Sequence, residues 1–167
     1  MSMADLLVRN AELLVTCDAD QREIPGGWVA ITGGMVEAVG GPGDEPAADR
    51  TIDATGCLVT PGLINTHHHL YQNLTRAHAP AITGTLFQWL QALYPLWARL
   101  DEEAAHVSAW VGLAELALGG CTTSTDHLYV HPAGGGDLLS AEIAAAVDLG
   151  MRFHPTRGSM SLSEKDG

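Results

Sequence analysis

Apolar and polar positions change rhythm once along the chain, at Pro61-Gly62. Before that point, short β-rich runs at residues 6–8, 13–16, 28–32, 36–39, 50–53 and 57–60 are separated by turn-forming clusters. The breakers are Pro25-Gly26-Gly27, Gly33-Gly34 and the glycine- and proline-rich stretch 40–46, whose composition suits exposed connections. Residues 1–60 therefore read as a small all-β module.

After Pro61-Gly62, helical periodicity alternates with single apolar strands, the pattern of βα units around a parallel sheet. Residues 63–66 predict the first of these strands, buried. Leu86, Trp89, Leu90, Leu93 and Tyr94 share one helical face until Pro95, which is expected to end or kink the helix. Asp101 is placed to cap a second helix, with Glu102 and Glu103 in its first turn and Gly119-Gly120 at its end. The threonine-rich stretch 121–126 predicts a second strand, followed by Asp126 and His127 at its end. Residues 140–149 predict a helix with a serine cap and Gly150 as its stop, and 151–156 a third strand. A β/α barrel needs eight strand-helix units and typically about 250 residues. Residues 61–167 supply two units and a third strand.

Composition adds exclusions. A 167-residue chain that is 46% hydrophobic can bury an ordinary core, so a soluble globular protein is expected. Eight Lys and Arg residues and a net charge of -12 give no basic stripe for a phosphate backbone, so no nucleic-acid partner is expected. Cys17, Cys57 and Cys121 are odd in number and far apart, which fits a reducing cytoplasm rather than a disulfide framework. No signal peptide and no membrane span are read, because no basic start precedes a long apolar run. Gly134-Gly135-Gly136 lacks either phosphate-binding pattern and reads as a loop.

The chemistry concentrates in Pro61-Gly62-Leu63-Ile64-Asn65-Thr66-His67-His68-His69-Leu70-Tyr71-Gln72. Alternation along an extended strand turns His67 and His69 to one side and His68 to the other, with the outer Cα atoms about 6.5 to 7 Å apart. From that spacing two imidazoles can share one metal ion at about 2.0 to 2.1 Å each. The competing reading is a solvated or pH-sensitive histidine patch. The strand-end position favours the metal, since barrel enzymes build their sites at the C-terminal ends of strands. Spacing does not choose between zinc, iron, nickel and copper. Trp89, Trp97 and Trp110 read as core, and His78, His106, His131 and His154 as structural. His127 reads as structural or as a support to a metal ligand rather than as a ligand itself.

The same segment resembles the opening strand of the amidohydrolase superfamily, whose signature is Pro-Gly-hydrophobic-hydrophobic-Asp/Asn-x-His-x-His. The stretches "HHHLYQNLTRA", "LFQWLQALYPLWARL", "TTSTDHLYVHP" and "RGSMSLSEKDG" are similar to its heterocycle aminohydrolases, in particular the 8-oxoguanine deaminase and hydroxyatrazine-type enzymes. The resemblance implies an α/β fold: the start of a metal-dependent (β/α)8 TIM-like barrel over residues 61–167, incomplete in this chain, preceded by a small β-sandwich over residues 1–60. It implies one divalent metal, zinc or alternatively iron, on His67 and His69, and a small heterocyclic substrate touched by Gln72. Arg157, with Ser159 on the same strand-end rim, is placed either to pair with a substrate carbonyl or anion or to make a surface salt bridge. Metal-activated water would replace a ring amine by a carbonyl and release ammonia. A triazine or amide hydrolase, an inactive binding module and a homo-oligomeric assembly stay open. The acid-base residues and the third histidine ligand of the family are expected beyond Gly167, so a chain ending there is expected to be inactive.

Overall fold

Strands alone fill the chain as far as Pro61, where the protein divides into two compact units, Met1–Pro61 and Gly62–Gly167. The structure, a computed structural model, describes residues 3–160. In the first unit the strands are β1 (Ala4–Arg9), β2 (Leu13–Val15), β3 (Glu23–Pro25), β4 (Trp28–Thr32), β5 (Met35–Gly40), β6 (Ala48–Asp53) and β7 (Leu58–Val59). They form a four-stranded sheet in the order β5-β4-β1-β6 and a three-stranded sheet in the order β3-β2-β7. Ala4 and Leu7 of β1 meet Trp28 and Ala30 of β4 in one small core, with Trp28 and Ala30 spaced for one face of their strand. The Trp28 indole donates to the carbonyl of Gly41 at 2.6 Å, which satisfies its buried N–H. β3 was not expected, because Glu23-Ile24-Pro25 offers a single apolar residue and is held by pairing with β2.

The second unit is mixed α/β. It holds β8 (Leu63–Asn65), 3-10 turns at Leu70–Thr75 and Ala79–Ala81, α1 (Leu86–Trp97), α2 (Glu102–Leu118), β9 (Cys121–Leu128), α3 (Leu138–Leu149) and β10 (Arg152–Arg157). The three strands are parallel, in the order β10-β9-β8. One core joins Tyr71, Leu93, Trp97, Leu128 and Leu138, and a second joins Leu70, Ala109, Leu113, Ala145 and Ala146. No helix among the described residues is long and apolar enough to cross a membrane.

Several expectations change. The first strand of this unit is not buried: Leu63 and Ile64 are 60% and 68% exposed, because among the described residues β8 lies at the sheet edge and pairs with β9 alone. Pro95 does not end its helix: it sits in the last turn of α1, which runs on to Trp97. Only one helical bond is lost so near the C-terminus. The helix opens on Thr85 and Gln88, which satisfy each other's backbone N–H groups as a capping box. β9 extends two residues further than expected, so Asp126 and His127 lie within it. α3 starts earlier, capped by the side chain of Asp137 accepting from the amide of Ser140 rather than by Ser140.

Gly112 shows how closely α2 packs on the turn at Leu70–Thr75. A Cβ there would collide with the amide of Asn73 and with Leu70, closer than van der Waals contact allows. Gly112→Ala is therefore expected to destabilise the protein by about 1 to 3 kcal/mol despite the better helix propensity of alanine. Equilibrium denaturant unfolding checks this, and an unchanged or raised midpoint would contradict the packing.

Candidate metal centre

β8 ends at Asn65, so His67, His68 and His69 follow the strand instead of continuing it. What arranges them is the neighbouring strand. The amide of His127 donates to the carbonyl of His68 at 2.9 Å. The His69 ring bonds through Nδ1 to the backbone carbonyl of His127 at 2.8 Å. A carbonyl only accepts, so Nδ1 carries the proton and Nε2 keeps its lone pair. The amide of Leu70 donates to Oδ1 of Asp126 at 2.6 Å. Three bonds from two consecutive residues of β9 thus fix residues 68–70.

The rings of His67 and His69 lie with centroids 5.4 Å apart and planes at 88°. Two imidazoles on one tetrahedral ion at about 2.0 to 2.1 Å have centroids roughly 5 Å apart. The pair therefore fits a shared divalent metal, with the His69 tautomer already set for it. Among the described residues, no group of three or more His, Cys, Asp or Glu side chains converges on a metal position.

A cavity of about 400 Å³ is lined by His67, His68, His69, Gln72, Arg76 and Trp89, among others. Gln72 thus shares the cavity with the histidine pair, brought there by the 3-10 turn, whose Tyr71 is buried in the core. His68 also lines it, contrary to the opposite-face expectation, because alternation lapses where the strand has ended. Burial, then the neighbouring His69, holds His68 below the ordinary histidine range. Trp89 is a wall of the cavity rather than simply core. Trp97 is buried as expected, and Trp110 is 44% exposed. Arg157 is the last residue of β10, level with Leu128, and is not among the cavity's lining residues. The His127 ring stands 5.5 Å from that of His69, yet the contact that holds His69 is the His127 backbone. Ser159 is exposed, and the tail beyond Met160 of "RGSMSLSEKDG" lies outside the described residues.

One feature was missed altogether. Glu142, in the middle of α3, is 0% exposed, and Asp126 beside it is 1% exposed. No N–H or hydroxyl among the described residues reaches Asp126 Oδ2 or either oxygen of Glu142. The two carboxyls face each other within hydrogen-bonding reach. Burial, then the charge on Asp126, pushes Glu142 up to about 9. Burial also raises Asp126, opposed chiefly by the Leu70 amide. The Leu70 amide on Asp126 Oδ1 favours the charge there, so Glu142, which no N–H or hydroxyl among the described residues reaches, is the partner that keeps the proton. The Glu-Ile-Ala-Ala-Ala sequence gives no sign of this, since a glutamate on a helix ordinarily faces water.

With this geometry in hand, the comparisons place the chain. The Amidohydrolase family profile matches residues 58–167, and the chain belongs to that family. An 8-oxoguanine deaminase of Pseudomonas aeruginosa is 46% identical over 99% of this chain and 36% of its own length. A hydroxydechloroatrazine ethylaminohydrolase of Pseudomonas sp. strain ADP is 39% identical over 76% of this chain and 27% of its own. The crystal structure of an atrazine chlorohydrolase from Arthrobacter aurescens TC1, complexed with zinc, superimposes with a TM-score of 0.87. It is 33% identical and covers 97% of this chain and 37% of that one. The chain spans about a third of the length of the curated relatives it matches.

The neutral Glu142 makes a signed prediction. A carboxyl raised on folding contributes stability that is fully present below its unfolded value and is lost as pH rises through the folded one. Stability is expected to fall as pH climbs from 4.5 towards about 9, and Glu142→Gln, uncharged throughout, to flatten that fall. Denaturant midpoints measured across the window check it; parallel slopes for both proteins would count against the assignment.

Proposed function

We propose that this chain forms the front of a metal-dependent hydrolase that removes an exocyclic amine from a purine-like ring, of the 8-oxoguanine deaminase kind. The observation that carries the proposal is the His67 and His69 pair, with the His69 Nε2 lone pair freed by the bond from Nδ1 to His127. The 46% identity to an 8-oxoguanine deaminase along almost the whole chain supports the substrate class. On this reading residues 1–60 are the N-terminal part of a small β-sandwich domain. Residues 61–167 are the first two βα units and third strand of a (β/α)8 barrel, in an enzyme of the cytoplasm.

His67 and His69 would hold one divalent ion, zinc by the analogy of the zinc-complexed neighbour. Such an ion supplies an activated water at neutral pH and polarises the carbon it attacks. The chain's own residues do the orienting. Trp89 offers a flat apolar wall to a planar ring, and the Gln72 amide offers both a donor and an acceptor to its edge. Arg157, at the C-terminal end of β10, is assigned to the rim as a contact for a substrate carbonyl or anion.

The test uses the intact gene product. Bound metal is measured, and ammonia release is followed with 8-oxoguanine, isoguanine, cytosine and hydroxytriazines. Ammonia from 8-oxoguanine is expected, and His67→Asn or His69→Asn is expected to lose both metal and turnover. Gln72→Ala is expected to raise KM about three- to tenfold, the worth of one hydrogen bond, with a smaller effect on kcat. A metal-loaded enzyme that releases no ammonia from any aminated ring would turn the assignment towards the triazine chlorohydrolases, whose structural likeness is equally close to hand.

A further inference from the structure

We propose that Asp126 and Glu142, facing each other as a carboxylate and a carboxylic acid that share one proton, are positioning residues that fix the peptide after His69 and so aim its ring. The inference rests on the reading of His69 as a metal ligand. Its own foundation is the geometry of buried groups around Leu70.

Both backbone groups of Leu70 are held by buried side chains. Its amide donates to Asp126 Oδ1 from β9, and its carbonyl accepts from the hydroxyl of Ser108 on α2. Asp126, Ser108 and Glu142 are all 0% or 1% exposed. Leu70 directly follows His69, so anything that lets its peptide turn also turns the backbone from which the His69 ring projects. The ring's bond to the His127 carbonyl fixes the tautomer. The Leu70 peptide fixes where that ring can be.

Asp126 can serve only while its other oxygen is satisfied. Oδ2 meets no N–H or hydroxyl among the described residues, which leaves the Glu142 carboxylic acid as its donor. An unpaired oxygen on a buried carboxylate is costly, and the charge would be driven off by protonation or by movement of the chain towards water. Protonated, Asp126 would keep less hold on the Leu70 amide, because a charge-assisted bond is roughly twice as strong as a neutral one. Glu142 thus keeps Asp126 ionised and still.

The position of Glu142 in α3 argues for a role beyond filling space. Leu138, Ala145 and Ala146, one turn to either side, are buried and apolar. A leucine at 142 would complete that face without burying a carboxyl. Glu142 does not line the cavity of the histidine pair, so it acts through Asp126 and not on a substrate.

The experiment uses the intact gene product with zinc, and with cobalt in its place for the visible spectrum. Glu142→Gln still offers an N–H to Asp126 and is expected to keep metal affinity within about threefold and the cobalt spectrum unchanged. Glu142→Leu removes the donor and is expected to weaken metal binding about 10- to 100-fold, the range for losing a group that orients a ligand. It is also expected to shift the cobalt bands. Ala146→Gly, which loosens the same helix without touching the pair, is expected to lower the melting temperature and leave affinity and spectrum alone. Infrared spectroscopy supplies a readout that does not need the leucine variant to fold: a buried carboxylic-acid carbonyl band at neutral pH in the wild type, absent in Glu142→Gln. Absence of that band overturns the proposal, as does a folded Glu142→Leu with wild-type affinity or a Gln variant as impaired as the Leu one. Failure of the wild type to bind metal at all is a different result, and sinks the site reading on which this one rests.

Discussion

The end of β9 is the anchor of this site. β8 contributes three residues, lies at a sheet edge, and has run out before the first histidine is reached. A segment in that position has no ladder of its own to hold it. Asp126 and His127 supply three bonds, to the His68 carbonyl, the His69 ring and the Leu70 amide. Backbone bonds of this kind each contribute about 0.5 to 1.5 kcal/mol net, and one to a charged acceptor about 1.5 to 3. Together they are comparable to the conformational entropy of ordering a few residues at about 1 to 2 kcal/mol each. That balance is what holds three adjacent histidines in a fixed arrangement after the strand has ended.

The strand-and-helix rhythm was legible because it is written in local terms. Asp101 caps α2 and Gly150 closes α3 in the left-handed conformation, at φ 67°, and both signals lie within a few residues of what they control. The His-x-His spacing was legible for the same reason. What escaped notice depends on partners far along the chain. Glu142 looks like any solvated helical glutamate until α3 is packed against α2 and β10. The exposure of Leu63 and Ile64 follows from which strand lies beside β8, and an apolar run alone reads as buried. The bond from His69 to His127 uses a backbone carbonyl, which every residue possesses and no side-chain pattern advertises.

The turn at Leu70–Thr75 was also invisible, yet it decides what the cavity presents. It buries Leu70 and Tyr71 and leaves Gln72 part-exposed beside the histidine pair. Tyr71 meets Trp97 edge-on at 5.1 Å, and Trp97 meets Trp89 at 5.2 Å. The aromatic contacts therefore run from beneath the turn to the far wall of the cavity. Trp89 is held by α1 and Gln72 by the turn, so the two surfaces offered to a flat ring are set by one packed cluster. A change in Trp97 would be felt at both.

A site that gathers a divalent cation benefits from negative charge nearby, but two buried carboxylates in contact would repel each other strongly at low dielectric. Sharing a proton leaves one negative charge, on Asp126, beneath the peptide that follows His69. With Nδ1 of His69 donating to a carbonyl, its Nε2 is the more basic nitrogen available to a metal. On the proposed reading of His69 as a ligand, the arrangement that fixes the ring in space is thus also the one that would strengthen it for a metal. Position and electronics are set by the same few groups at the end of one strand.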